Sequence, residues 1–170
     1  FDKIKNNQVY FIAEMSANHG GKLENALEIV QKSAKAGADC VKIQTYTADA
    51  MTINCNNPYF QIKGGLWDGY KLHDLYQKAG TPYGWQKRIK EECEKCGIDF
   101  LSTPFDIAGV DFLEEIGVEA YKIASFELVD LPLITYTALK GKPMIISCGM
   151  GSPDEIWEAV NTCYQSGNRQ

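Results

Sequence analysis

Two lysines fall where a folding chain rarely tolerates them. In Val41-Lys-Ile-Gln-Thr45 and in Ala120-Tyr-Lys-Ile-Ala-Ser-Phe-Glu127, Lys42 and Lys122 sit among apolar residues at the two-residue period of a strand. Burying an ammonium costs roughly several kcal/mol unless something anionic meets it. Glu14, Gln44, Thr103, Ser125, Glu127 and Ser147 fall at or just past the ends of similar runs. Two cations with several hydroxyls suit a small phosphorylated or carboxylated molecule. A carboxylate beside them suits proton transfer or the binding of a hydroxyl. Two other uses of a strand lysine stay open: a structural ion pair, and a Schiff base with a carbonyl substrate. The Schiff base needs an apolar pocket, whereas both lysines here have polar companions.

Strands are needed to bring these groups together. The pattern predicts them at Val9–Ser16, Cys40–Tyr46, Asp99–Phe105, Ala120–Ser125 and Pro143–Ser147. Helices are predicted at Leu23–Ala36, Thr81–Gly97, Ile107–Ile116, Leu131–Leu139 and Ser152–Ser166. The first carries Leu23, Ala26, Leu27, Val30 and Ala34 on one stripe and stops at Gly37. The last opens on Ser152-Pro-Asp-Glu155, a cap, a first-turn proline and two favourable acids. Strand-then-helix, five times over, is the pattern of a parallel α/β protein.

Two architectures fit five such units. An open doubly wound sheet covers both faces with helices and would bury Lys42 and Lys122 under one of them. A (β/α)8 TIM barrel points one face of every strand at its axis and gathers the C-terminal ends at a mouth. Lys42 with Gln44, Ile12 with Glu14, Leu101 with Thr103, and Ile145 with Ser147 each share a face. The barrel is therefore the expected fold, and residues 1–170 would make about its first five βα units. Two sheet edges would stay unpaired, which predicts poor stability unless a partner supplies the remainder.

Composition narrows the class. With 45% hydrophobic and 23% charged residues the chain has material for a core and a solvated surface. A net charge of −5 argues against a nucleic-acid partner. No apolar run spans a membrane, and no signal peptide is visible, although the chain opens at Phe1 rather than Met. Cysteines 40, 55, 93, 96, 148 and 163 are scattered. Cys93 and Cys96 form a lone CxxC inside a helical run, which points to ordinary reduced thiols in a cytoplasmic protein. Residues 47–80 interrupt the rhythm, with a short helix over Lys71–Lys78. They read either as a lid or subunit contact, or as a surface excursion packed by Trp67, Tyr70 and Tyr76.

Five motifs in one order carry a family resemblance. Ala13-Glu-Met-Ser-Ala-Asn-His19, Val41-Lys-Ile-Gln-Thr45, Ser102-Thr-Pro-Phe105, Ala120 to Glu127 and Gly141-Lys-Pro-Met-Ile-Ile-Ser147 resemble the sialic acid synthases. Within that family Ser16-Ala-Asn-His19, Lys63-Gly-Gly-Leu-Trp-Asp-Gly69 and Lys122-Ile-Ala-Ser-Phe-Glu127 look most like the pseudaminic acid synthases; the N-acetylneuraminate and legionaminate branches are the alternatives. The resemblance implies condensation of phosphoenolpyruvate with an N-acetylated amino sugar to a nine-carbon 2-keto acid. By the same resemblance Lys42, Thr103, Lys122, Ser125 and Ser147 hold phosphoenolpyruvate, and Gln44, Glu127 and Phe126 meet the sugar. The resemblance also implies that Glu14 is the catalytic carboxylate, positioning or deprotonating a hydroxyl or the attacking water. Phe126, where the neuraminate branch has glycine, is expected to narrow and dry the pocket for a 6-deoxy sugar. Cys148 stands where the family commonly has threonine. Further implications are a divalent metal, Mn or Mg, with ligands beyond residue 170, a later small domain, and a domain-swapped homodimer. His19 is expected to order its loop rather than bind metal, and His73 to lie on the surface. A non-catalytic anion-binding fragment is the reading from another class.

Overall fold

Each strand lies beside its neighbour in sequence. The computed structural model describes residues 1, 6 and 8–170. Five strands, β1 (Ile12–Glu14), β2 (Cys40–Thr45), β3 (Asp99–Pro104), β4 (Tyr121–Ile123) and β5 (Met144–Ile146), form one parallel sheet in the order β1-β2-β3-β4-β5. A doubly wound sheet reverses its strand order partway, and this one does not. Parallel crossovers are nearly always right-handed, so an unreversed order puts all the helices on one side. The result is half of a TIM barrel, with helices outside and a concave inner face, as the barrel reading expects.

The helices are α1 (Leu23–Lys35), α2 (Ala48–Met51), α3 (Leu72–Ala79), α4 (Tyr83–Lys95), α5 (Ile107–Glu115), α6 (Leu131–Ala138) and α7 (Pro153–Gln165). Short 3-10 turns occupy Pro58–Phe60 and Phe126–Val129. The capping chemistry at the start of α7 is realised in full. Ser152 accepts from the Glu155 N–H, and Glu155 accepts from the Ser152 N–H at 2.7 Å.

The alternation in each strand divides the apolar residues between two cores. Val41, Ile43, Phe100 and Tyr121 point outward and pack with Val30, Ile89, Val110 and Leu113 of the helices. Cys40, Leu101 and Ala120 point inward and meet Tyr10, Ile12 and Ile145. That inner cluster is a floor. Lys42, Thr103, Lys122 and Ser147 come later on the same face and rise above it.

Two expectations need correction. Strands β1, β4 and β5 are shorter than the alternation suggests. β1 starts only where β2 begins to pair with it and stops before Ser16, whose φ of +50° leaves extended space. β4 stops at Ile123 because Ser125 turns into helical space. His73 is buried, not on the surface: its Nε2 meets Asp49 Oδ1 at 2.8 Å, tying α3 to α2. Residues 47–80 form a structured excursion packed by the aromatic residues that the second reading of this stretch named. Within it Gln61 and Lys71 make an antiparallel bridge, Trp67 and Tyr70 pack edge to face, and Tyr76 packs edge-on against Tyr46. All six cysteines are free thiols, with Cys93 buried in α4.

Candidate active site

Register places the first pair. Glu14 on β1 lies level with Lys42 on β2, so both side chains leave the sheet on the same side. They meet at 2.8 Å between Lys42 Nζ and Glu14 Oε2. Lys42 is 7% exposed and also reaches Thr103 Oγ1 at 3.4 Å. Glu14 is open to solvent, with 61% of its side chain exposed. The buried cation is thus paired with an anion that water, or an incoming ligand, can displace.

The second lysine sits two strands away. Ser102 pairs with Tyr121, which sets Thr103 level with Lys122. Lys122 Nζ donates to the Ile123 carbonyl at 2.6 Å and to Ser147 Oγ on β5. Its pKa is lowered, first by burial and then by the charge of Lys42. The charge of Lys42 is thus felt at Lys122, and the register sets both side chains on the inner face of the sheet. No carboxylate forms an ion pair with Lys122 among the described residues, although the charges of Glu14 and Glu127 reach it and partly offset the lowering. Two cations held close, only one of them ion-paired, attract a small dianion.

Past β4 the backbone carries the remaining groups. Glu127 lies in the Phe126–Val129 turn. Burial, then the charge of Asp130, raises its pKa, and its Oε2 is buried without a hydrogen-bond partner. Buried acceptors are seldom left unpaired. Ser125 and Gln44 are half-buried beside the mouth, and Phe126 is largely exposed at it.

Loop Ser16–Gly21, which follows β1, is braced by its own side chains. Asn18 Nδ2 donates to the Met15 carbonyl at 2.9 Å, and Asn25 Nδ2 to the His19 carbonyl at 3.0 Å. His19 Nδ1 accepts from the Gly21 N–H at 3.1 Å, while Nε2 lies 3.4 Å from Thr81 Oγ1 and the ring packs edge-on against Trp85. Burial lowers its pKa, so the ring is a neutral strut. Among the described residues no three His, Cys, Asp or Glu side chains come together to hold a metal ion. With both nitrogens of His19 engaged, the described residues do not build the metal site that the resemblance implies.

Sequence reading missed a polar network on the outer face. Thr45 Oγ1 lies 2.7 Å from Gln86 Oε1 and 2.6 Å from Ser102 Oγ, and Gln86 Nε2 donates to the Thr81 carbonyl at 3.1 Å. Thr45, Gln86 and Ser102 are all fully buried. Two hydroxyls on the outward face of adjacent strands were the available signal, since helix-covered positions demand a partner.

Known proteins resemble the chain over most of its length. The chain is 46% identical over 161 residues to a pseudaminic acid synthase of Campylobacter jejuni, covering 95% of this chain and 47% of that one. It is 41% identical over 157 residues to the pseudaminic acid synthase of Helicobacter pylori, covering 92% and 46%. The chain therefore spans about half the length of the curated relatives it matches. The crystal structure of an N-acetylneuraminic acid synthetase from Leptospira borgpetersenii serovar Hardjo-bovis, in complex with citrate, superposes with a TM-score of 0.82 at 32% identity, over 96% of this chain and 52% of that one. The NeuB family model matches residues 29–170. With paired lysines above an apolar floor and most of its length matched, the chain belongs to the NeuB family.

Proposed function

We propose that the protein carrying this chain condenses phosphoenolpyruvate with a 2,4-diacetamido-2,4,6-trideoxy hexose to form pseudaminic acid and phosphate. The convergence of Lys42 and Lys122 above the floor supports this most directly, because a carboxylated phosphate ester needs two cationic poles. Lys42 and Thr103 hold one pole; Lys122, Ser125 and Ser147 hold the other. Glu127 and Gln44 take sugar hydroxyls or amides, and Phe126 meets the sugar's apolar edge. In the reaction the enol carbon C3 bonds to the open-chain aldehyde carbon, whose oxygen takes a proton. Water adds at C2, and phosphate leaves with cleavage of the C–O bond. Glu14, exposed and beside Lys42, orients or deprotonates a hydroxyl or the attacking water. In this reading a divalent ion, Mn or Mg, is held by residues beyond Gln170, and the protein is a cytoplasmic, domain-swapped homodimer.

Phosphate release from phosphoenolpyruvate, the sugar and Mn tests the reading. The complete protein is expected to turn over and residues 1–170 alone to fail. Binding of phosphoenolpyruvate without turnover of any hexosamine derivative would refute it. The lowered pKa of Lys122 also favours a second reading, a Schiff-base aldolase. Borohydride trapping of Lys122 or Lys42 on a keto substrate would establish that chemistry instead.

A further inference from the structure

Ser125 and Glu127 lie on backbone that has left the sheet, and the turn beginning there has no side-chain cap. The loop after β5 packs against both places. A methyl group added at Gly149 would lie 2.9 Å from Ser125 Oγ and 3.4 Å from Ser125 Cβ. The φ of Gly149 is one that other residues adopt, so bare backbone there serves the contact rather than the conformation. A methyl group at Gly151 would lie 2.3 Å from Leu128 Cδ2. Leu128 is 1% exposed, packed with Ile123, Ile134 and Ala159, and belongs to the same turn as Glu127. Between the two glycines Met150 holds φ at +64°, and the Gly151 N–H closes the turn on the Cys148 carbonyl at 3.2 Å. A left-handed non-glycine residue persists where its surroundings over-determine it.

We propose that Gly149-Met150-Gly151 is a two-point template for the neighbouring loop. Gly149 sets Ser125 against phosphoenolpyruvate, and Gly151 sets the turn that aims Glu127 at the sugar. Both are positioning residues, and the ligand names rest on the proposed function. Each substrate thus depends on a different glycine of one loop.

The test uses the complete protein. Phosphoenolpyruvate affinity is measured by calorimetry on the parent, Ser125→Ala, Gly149→Ala and the Ser125→Ala/Gly149→Ala double variant. Gly149→Ala and Ser125→Ala are each expected to weaken binding about tenfold, the scale of one hydrogen bond to a charged group. The double variant is expected to be no weaker than Ser125→Ala, because the hydroxyl that the new methyl strikes is gone. Gly151→Ala is expected to raise the sugar KM about tenfold and leave the phosphoenolpyruvate KM within about twofold. Losses that multiply in the double variant, a silent Gly149→Ala, or a Gly151→Ala that raises both KM values equally would overturn the template. If Gly149→Ala fails to fold, recovery of folding and Ser125→Ala-like affinity in the double variant supports the template, and continued misfolding overturns it. A silent Ser125→Ala with Gly149 intact removes the proposed role of Ser125 itself and, with it, the Gly149 half of the template.

Discussion

Replacing Glu14 by glutamine should tighten phosphoenolpyruvate binding while it abolishes turnover. Lys42 Nζ and Glu14 Oε2 are 2.8 Å apart. A phosphate oxygen accepting from the same ammonium at about 2.8 Å lies no more than about 5.6 Å from that carboxylate. A dianion and a carboxylate at about 5.6 Å repel by about 1.5 kcal/mol in water-like dielectric and by about four times that at a protein-like value. Glu14 is mostly exposed, so the lower figure applies. Physiological salt, with a Debye length of about 8 Å, cuts it by about half. The amide variant should therefore bind phosphoenolpyruvate about three- to tenfold more tightly, with the larger gain at low salt. Its turnover should fall by about a hundredfold or more if the carboxylate moves a proton. Calorimetric titration of the complete protein at two salt concentrations, beside a phosphate-release assay, reads both quantities. Equal or weaker binding by a folded Glu14→Gln variant would show that the carboxylate orients Lys42 more than it competes for it.

Other perturbations probe different links. Burial, then Lys42, holds the Lys122 pKa below the ordinary 10.5; the unfolded chain therefore binds more protons between the two pKa values, and stability should rise with pH through that window. Phosphoenolpyruvate affinity should fall over the same window as the ammonium is lost, and urea midpoints and calorimetry should both flatten in Lys122→Met. Thr45→Val strands Gln86 Oε1 in a dry interior, leaves Ser102 only the Ile43 carbonyl, and should cost about 2 kcal/mol, read as a lower urea midpoint; a loss under about 0.5 kcal/mol would mean that the network is dispensable. Phe126→Gly should relax sugar choice, seen as a smaller ratio of kcat/KM between 6-deoxy and 6-hydroxy sugars, and an unchanged ratio would remove Phe126 from the sugar pocket.

Much of the fold was legible because alternation reports sheet faces directly. Lys42 with Gln44 and Leu101 with Thr103 share the inner face as their spacing implies, and a lysine on a helix-covered face would have been too costly. Strand ends were less legible. β1 is cut by pairing rather than by its own residues, since Val9 and Phe11 have strand character yet β2 begins only at Cys40. The burial of His73 was hidden because its partner, Asp49, lies in another short helix of a long excursion. The template glycines were invisible for a related reason. A glycine required by another loop's side chain carries no mark in its own neighbourhood, and Gly149 and Gly151 look like ordinary turn residues.

The level alignment of Glu14 with Lys42 has a consequence for assembly. Sliding β1 by one residue along β2 would set Ala13 opposite the ammonium and swing the acid towards the helices. A cation would then be entombed with no countercharge, and an acid would be pressed into oil. Glu14 and Lys42 therefore penalise misalignment, and under the proposed function a correctly threaded sheet and a competent catalytic centre are selected by a single electrostatic check.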